Sequence, residues 1–225
     1  MILPPPLLRR RVLRAALSLC CLLPAACALP SARQPLQQTY RLDAPDVRTA
    51  PLPQAVVVQL LPLSAAAGFA SAAMMYSRSA DTLEPYRDSR WLAPPSRLIA
   101  DAIAAALRRQ PWVSAVQQQT VLIEAPWALH CSLQRLEHDV RASAGAVRLD
   151  LTCELVDRPT RTVTAHWRFD GREPIAVNDA AHFAQGAQTL LNQAIDGIVQ
   201  HTRAAVQAAQ EVPTSAGAAA PARSR

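Results

Sequence analysis

The chain has 225 residues, half of them apolar, which suits one globular domain with terminal extensions. All 23 basic residues are arginine, and four lie within the first 14 residues, so the rest of the chain has 19 basic against 17 acidic residues, about +2. These remaining arginines are scattered and lack interleaved aromatic residues, so composition and charge argue against a nucleic-acid-binding protein.

The N-terminal residues follow the order of an export signal. An arginine cluster precedes a largely apolar run over residues 12–23, and the small residues Ala25 and Ala26 precede Cys27. That run has about 12 residues, whereas a membrane-spanning helix needs about 20. The sequence therefore predicts a signal peptide over residues 1–26 rather than a retained transmembrane helix.

Two cleavage sites are compatible with these residues. In the first, Ala25-Ala26-Cys27 is a lipoprotein box and Cys27 becomes the acylated N-terminus, although Pro24 stands where leucine is usual. In the second, Ala26-Cys27-Ala28 is an ordinary secretory site. We favour the first, in which acyl chains hold the domain at a membrane, since each buried methylene contributes roughly 0.8 kcal/mol. Because residue 28 is alanine and not the aspartate of inner-membrane retention, the expected destination is the outer membrane.

Proline spacing and composition predict the domain boundaries. Residues 27–54 contain five spaced prolines and predict an extended tether that follows the lipidated cysteine. The globular domain is expected over residues 55–210. Residues 211–225 are small, polar and proline-containing, which is typical of a disordered tail.

The first half of the domain predicts several strands and one helix. The β-branched and leucine-rich residues 55–63 predict a strand buried on both faces. A hairpin of short strands is predicted at 74–76 and 83–87. Two prolines at 94 and 95 then open a helix whose apolar residues recur every three or four positions, and residues 112–119 predict another strand.

The second half predicts an antiparallel meander and a long helix. Apolar and polar residues alternate in 147–155 and 163–169, and the strand at 127–140 begins in the same way before its apolar phase shifts near Leu136, which predicts a bulge. A helix over 179–209 follows, capped by Asn178 or Asp179, with an apolar stripe that fades after Val199. The predicted fold class is α/β (α+β), with a two-layer mixed sheet, a C-terminal antiparallel meander and two helices on one face.

Two cysteines lie in this meander. A hairpin centred on Ala142 places Cys131 opposite Cys153 and Leu133 opposite Leu151, all on the apolar face. In an oxidising compartment this register predicts a disulfide, with two buried free thiols as the alternative.

Motifs of known chemistry are missing from the sequence. The six glycines are too far apart for a phosphate loop or a dinucleotide fingerprint, and there is no G-x-S-x-G motif. His130 and Cys131 fall on opposite faces of one strand, which argues against a metal site, and Glu137-His138-Asp139 is interpreted as a solvated patch. We therefore expect no catalytic residue, no metal and no cofactor.

Trp91 is the most notable large apolar residue outside the regular patterns, because it lies just before the prolines of the first helix and follows Arg90. We interpret it as a structural plug with an arginine stacked on its ring, and contact with a ligand is the alternative.

The order of tyrosines, an Arg-Trp pair and a Pro-Pro pair is more specific than any feature above. It runs from Met75-Tyr76-Ser77-Arg78 through residues 83–95, and Tyr40-Arg41-Leu42 and the end of the first strand accompany it. In these residues the chain resembles the ABC-type transport auxiliary lipoprotein family, to which proteins of the paraquat-inducible protein C type belong.

This resemblance implies a non-enzymatic lipoprotein on the periplasmic face of the outer membrane. Its partners would be a mammalian-cell-entry (MCE) domain protein and an inner-membrane permease and ATPase, in a system that moves lipids between the membranes. A homo-oligomer is also an expected association, whereas nucleic acid is not. Either the polar face of the sheet or the segment from Tyr76 to Trp91 would contact the partner. In that segment the expected partner-binding residues are Tyr76, Tyr86, Arg90 and Trp91. The competing hypothesis is an unanchored periplasmic protein that binds a small ligand or a lipid itself.

Overall fold

Nine strands and two α-helices form the part of the chain that the computed structural model describes, residues 37–119, 125–141 and 145–211. The strands are β1 (Gln38–Tyr40), β2 (Val56–Leu60), β3 (Ser64–Ala65), β4 (Ala73–Ser77), β5 (Glu84–Trp91), β6 (Val113–Gln117), β7 (Trp127–Asp139), β8 (Ala146–Asp157) and β9 (Thr162–Pro174). The helices are α1 (Pro95–Arg108) and α2 (Ala180–Glu211). Every predicted strand and helix is present, and β1 and β3 are additional.

The long strand β7 is the centre of the sheet. On one side it pairs antiparallel with β8 over its whole length. On the other side β2, β3 and β4 follow one another, all parallel to β7. Farther from β7, β6 pairs parallel with β2. β5 pairs antiparallel with β4, and β1 pairs parallel with β5. Since β9 pairs antiparallel with β8, the predicted meander β7-β8-β9 is confirmed within one mixed sheet.

Both helices contact one layer of this sheet and each other, as the predicted two-layer fold requires. α2 packs on β8 and β9, and α1 packs on β6, β7 and α2. The alternating apolar residues of β8 are buried beneath α2, from Val147 to Leu155. The apolar stripe of α2 extends beyond its predicted end at Val199, because Thr202 and Val206 are also completely buried. Burial along this stripe stabilises the fold by about 25 cal/mol for each Å² of apolar surface.

The predicted bulge is present in β7, between Leu133 and Arg135. It adds one residue to β7, so that Leu136 pairs with Leu149 and His138 with Val147. The side chain of His138 consequently points toward the helices and is completely buried. The interpretation of Glu137-His138-Asp139 as a solvated patch is therefore wrong, since Glu137 and Asp139 are also buried, on the opposite face.

The predicted disulfide is present between Cys131 and Cys153, which pair directly across β7 and β8. Leu133 pairs with Leu151, as the predicted register requires. Both cysteines are buried in the core, with a Cα–Cα distance of 4.1 Å. The bulge lies beyond this pair, so it does not disturb the register at the disulfide.

The folded region begins earlier than predicted. β1 already pairs with β5, and the segment 41–54 lies against the helices instead of extending away as a tether. Side-chain amides of Gln188 and Gln110 donate to the carbonyls of Asp43 and Val47, both at 2.8 Å, and Arg203 donates to that of Ala50 at 2.9 Å. Proline removes backbone donors but leaves the carbonyl acceptors, which is why this segment can bind helix side chains without regular structure.

The remaining boundary predictions lie outside the described residues. They concern the signal peptide, Cys27 with the first part of the tether, and residues 212–225. Within the described ranges, neither helix is both long and apolar enough to span a membrane.

Candidate functional site

An open cleft of about 960 Å³ lies between the β1-β5-β4 edge of the sheet and the start of α2. Tyrosine, arginine and short polar side chains dominate its lining. The lining includes Gln38, Tyr40, Tyr76, Arg78, Tyr86, Asn178 and Asp179. Its size falls within the range of small-molecule pockets, about 300–1,000 Å³, and it is open to the surface.

Tyr76 and Arg78 form a fixed pair at the mouth of the cleft. The Tyr76 hydroxyl donates to Glu84 at 2.8 Å and accepts from Arg78 at 2.9 Å, and the guanidinium carbon lies 5.1 Å from the ring centre. The hydrogen bond to the Glu84 carboxylate raises the pKa of Tyr76. The Arg78 side chain is 67% exposed. A positioned arginine on an aromatic ring offers both charge and apolar area to a partner, as residues that dominate protein interfaces do.

The floor of the cleft is a cluster of four aromatic rings. Phe183 from the first turn of α2 stacks on His138 at 5.7 Å and on Tyr86 at 6.3 Å, and meets Trp91 edge-on at 5.5 Å. Tyr76 meets Tyr86 edge-on at 5.1 Å, which joins the mouth of the cleft to its floor. Such pairs add about 0.5–1.5 kcal/mol each beyond area burial, so they stabilise the floor of the cleft.

A hydrogen-bonded chain runs through this floor. The Tyr86 hydroxyl lies 2.6 Å from His138 Nδ1, and His138 Nε2 lies 3.3 Å from Asn178 Oδ1. Burial lowers the pKa of His138, and burial followed by the charge of Asp179 raises the pKa of Tyr86 to about 12. Both groups are therefore neutral near pH 7, so that Tyr86 donates to Nδ1 and the protonated Nε2 donates to Asn178. The chain positions Tyr86 and is not arranged as an acid–base pair.

Gly145 is required by the close approach of the chain to this network. A Cβ at Gly145 would collide with the Asn178 side chain and lie 2.7 Å from His138 Nε2. The start of α2 is held beside it by Asp179, whose Oδ1 accepts the backbone N–H of His182 at 2.8 Å. That hydrogen bond lowers the pKa of Asp179 and confirms it as the predicted helix cap.

The four expected partner-binding residues have different positions. Tyr76 and Tyr86 line the cleft, and Arg90 is exposed beside it. Trp91 is completely buried, packs on Phe183 and receives no stacked arginine, because Arg90 Nε is directed to the Trp91 carbonyl at 3.4 Å. Trp91 is thus a structural plug, and its ring does not reach the surface of the described body.

Several residues of the site were not predicted from the sequence. Tyr40 and Arg78 lie in the segments that carry the family resemblance, so that resemblance contained a signal for them. Asn178 and Asp179 were considered only as helix caps. His138 could have been found by carrying the predicted bulge through to the end of its strand, which reverses the faces. No group of three metal-ligating side chains occurs in the described ranges.

The buried His138 predicts a dependence of stability on pH. Its folded pKa lies below the usual 6.5 because burial outweighs the opposing effects of Asn178, Asp139 and Asp179. The unfolded chain takes up the proton first, so this contribution is complete above pH 6.5 and is lost as the pH falls through the folded pKa. We expect urea denaturation of the His138→Phe variant to show a shallower fall in unfolding free energy between about pH 7 and 5 than the wild type.

Phenylalanine keeps the stacking on Phe183 but cannot be protonated, which separates pH dependence from packing. The exposed His166 provides the control, since His166→Asn also removes one histidine but leaves the buried aromatic cluster intact. Equal slopes in the wild type and His138→Phe would contradict the prediction.

The fold is similar to those of two solved proteins. The crystal structure of protein XCC0632 from Xanthomonas campestris has a TM-score of 0.71 at 20% sequence identity, and the alignment covers 78% of this chain and 99% of that chain. A crystal structure of an uncharacterized protein has a TM-score of 0.58 at 11% identity, with coverage of 74% and 99%. At these identities the likeness concerns the fold alone. A comparison with curated proteins finds no match.

A sequence comparison with protein families identifies the family to which the chain belongs. Residues 40–199 match the family described as the ABC-type transport auxiliary lipoprotein component. The match includes all strands of the sheet except the start of β1, both sides of the cleft and the first part of α2. It confirms the predicted resemblance and implies association with the cell envelope. The protein belongs to the family of ABC-type transport auxiliary lipoprotein components.

Proposed function

We propose that this chain is the non-catalytic, lipid-anchored subunit of an MCE-type ABC lipid transport system, located on the periplasmic face of the outer membrane. The cleft with the Tyr76–Arg78 pair is its docking surface for the MCE-domain protein, which links it to an inner-membrane permease and ATPase. The exposed Arg78 on the half-buried Tyr76 ring carries the proposal, because it presents charge beside apolar area in a family of auxiliary components.

The cleft lies at the end of the body where the chain arrives from Cys27. β1 begins at Gln38, and both Gln38 and Tyr40 line the cleft. The ten steps along the chain from Cys27 to Gln37 span at most about 35 Å when fully extended. An acylated Cys27 would therefore keep the cleft near the membrane surface, within reach of a partner that delivers lipid there.

Exposed apolar side chains beside the cleft support a protein partner. Among the described residues, Leu92, Val163 and Val177 are large apolar side chains that are at least half exposed. Leu92 donates its backbone N–H to Tyr40 at 2.7 Å, and Val177 precedes the cleft residue Asn178. Two of these three residues thus neighbour cleft residues and offer exposed apolar area that association would bury.

Removing the Tyr76–Arg78 pair is expected to weaken binding of the MCE-domain protein encoded in the same gene neighbourhood. In the double variant Tyr76→Ala, Arg78→Ala, we expect recovery of that protein by affinity purification from native membranes to fall at least about tenfold, equivalent to about 1.4 kcal/mol. Arg97→Ala is the matched control, since Arg97 is an exposed arginine on α1 that lies outside the cleft. Recovery of the MCE-domain protein with the double variant at the wild-type level would contradict this docking surface.

The anchor has a separate test. Mass spectrometry of the mature protein purified from its native host is expected to show an N-terminal Cys27 carrying acyl chains, and Cys27→Ser is expected to release the protein from the outer-membrane fraction. A mature chain with a bare Cys27 thiol would instead support the unanchored periplasmic ligand-binding protein. Retention of the arginine-rich leader would contradict both functions.

A further inference from the structure

Strand β9 is a long edge of the sheet. Among the described strands it pairs with β8 alone, although it has 13 residues. Strands in globular proteins usually have about 3–10 residues, and a long edge offers its free backbone groups to another strand. Strands β8, β7, β4 and β5 separate β9 from β1, so this edge is distinct from the edge that lines the tyrosine cleft.

The hydrogen-bonding phase of β9 decides which of its backbone groups are free. Just past the end of the strand, the Ile175 N–H donates to the Gly145 carbonyl at 3.0 Å, on the β8 side. Alternate residues of an antiparallel ladder bond the same neighbour, and the register with β8 is continuous over residues 165–174, so the odd-numbered residues face β8. The N–H and C=O groups of the even-numbered residues 166–172 therefore point outward. Pro174 agrees with this phase, because proline on an edge strand has no N–H to offer outward.

Charges of alternating sign follow these outward residues. Arg168, Asp170 and Arg172 are exposed on the sheet face opposite the helices. Arg168 Nε donates to Asp150 Oδ1 on β8 at 2.8 Å. The Asp170 carboxylate is half exposed, and its cations within the described residues, Arg148 and Arg168, lie 3.8 and 3.7 Å away, beyond hydrogen-bond length. Asp170 can thus accept a closer donor from outside.

This sign pattern is complementary to itself in one antiparallel register. With a two-fold axis at Phe169, Arg168 faces Asp170 of a second copy and His166 faces Arg172, so all four outward residues are bonded. An axis at Asp170 places Asp170 opposite itself and Arg168 opposite Arg172. An axis at Arg168 places two arginines opposite each other, and larger shifts move an outward residue beyond the regular ladder. Like charges directly opposite destabilise a strand pair, so the charges select the axis at Phe169.

The helix-facing side of β9 fits the same register. Phe169 is half-buried beside Leu190 of α2, and its ring covers Gly171, where a Cβ would lie 2.6 Å from the ring. At the axis, Phe169 faces its own copy in a non-hydrogen-bonded pair, in which side chains lie closest. Association would therefore bury more of both rings, and burial of aromatic area is favourable.

We propose that β9 is an interface between two copies of this chain, which pair antiparallel about a two-fold axis at Phe169 and continue the sheet from one copy into the other. Each outward residue exchanges two backbone hydrogen bonds with the residue opposite. The interface is isologous, so it closes at two copies and does not propagate. Because the tyrosine cleft lies at a different edge, this inference does not rest on the proposed docking function.

Disulfide trapping in native membranes tests the register. Residues that face each other at the axis have Cα atoms about 4.5 Å apart, within reach of a disulfide. Mild oxidation of the Phe169→Cys variant is therefore expected to give a covalent dimer that a reducing agent separates. Val163→Cys is the matched control, because Val163 is 58% exposed on the same strand. In the proposed register its two copies are about 40 Å apart, at about 3.3 Å for each residue, so at least about tenfold less dimer is expected.

A proline substitution separates pairing from folding. Asp170→Pro removes an outward donor but no hydrogen bond to β8, so the fold should tolerate it as it tolerates Pro174. Native mass spectrometry of the full-length chain is expected to show dimers of the wild type and monomers of Asp170→Pro. Asp170→Asn keeps the N–H and should still form dimers.

The melting temperature of each variant checks that it is folded. If Phe169→Cys is unstable, Asp170→Pro decides the matter, and the reverse holds if Asp170→Pro is unstable. A wild type that is monomeric throughout, equal amounts of covalent dimer from Phe169→Cys and Val163→Cys, or dimers of a folded Asp170→Pro variant at the wild-type level would overturn the proposal. A cross-link from Phe169→Cys to a different protein would also overturn it, since the edge would then pair with another partner.

Discussion

Replacing Trp91 with alanine is expected to lower the free energy of unfolding by about 3–5 kcal/mol, the usual cost of deleting a fully buried large aromatic side chain. Trp91 is completely buried, and its ring meets Phe183 edge-on at 5.5 Å. Its removal leaves a cavity beneath the tyrosine cleft and removes support from Phe183, which stacks on His138 and Tyr86. Urea denaturation of the full-length chain measures this loss.

The neighbouring Arg90 provides a control for Trp91. Arg90 is exposed, so Arg90→Ala should change the free energy of unfolding by no more than about 0.5 kcal/mol. Trp91→Phe keeps an aromatic ring in the core and should cost less than Trp91→Ala. If Trp91→Ala were as stable as the wild type but no longer bound its partner, Trp91 would be a partner-contact residue and the plug interpretation would be wrong.

Removing the disulfide is expected to have the second largest effect on stability. Cys131 and Cys153 close a loop of 22 residues, and the loss of that constraint on the unfolded chain costs about 3 kcal/mol. The double variant Cys131→Ala, Cys153→Ala should therefore unfold at a lower urea concentration than the oxidised wild type. Both side chains are buried among apolar residues, so alanine leaves no unpaired polar group behind.

A reducing agent separates the covalent constraint from the packing of the two side chains. Dithiothreitol should lower the urea concentration at which the wild type unfolds. It should not change that concentration for the double variant, because only the wild type has a disulfide to lose. A wild type that unfolds at the same urea concentration with and without dithiothreitol, while its thiols become reactive only in the reduced sample, would show that the bond contributes nothing to stability.

The two predictions concern neighbouring parts of one sheet. The disulfide fixes the register of β7 on β8 ahead of the bulge, and the bulge then turns His138 under Phe183. Trp91 packs on the same phenylalanine from β5. The position of Tyr86, and with it the floor of the cleft, thus depends on strand register as much as on local packing.

Local sequence patterns determined most of the secondary structure and the meander. Period-two alternation in β8 and β9, the three-to-four periodicity of α1 and α2 and the Asp179 cap are short-range signals, because each depends on which face of one element is buried. The pairing of Cys131 with Cys153 was predictable for the same reason, since a short hairpin leaves few registers.

Only the tertiary structure decided which distant segments meet. The parallel pairing of β4 with β7 and the contact of Phe183 with Trp91 join residues far apart in sequence, and no local pattern encodes such pairs. The prolines of segment 41–54 excluded regular structure but could not reveal that Gln110, Gln188 and Arg203 bind its carbonyls. The cleft depends on these long-range contacts, because its tyrosines come from three strands that only the folded sheet brings together.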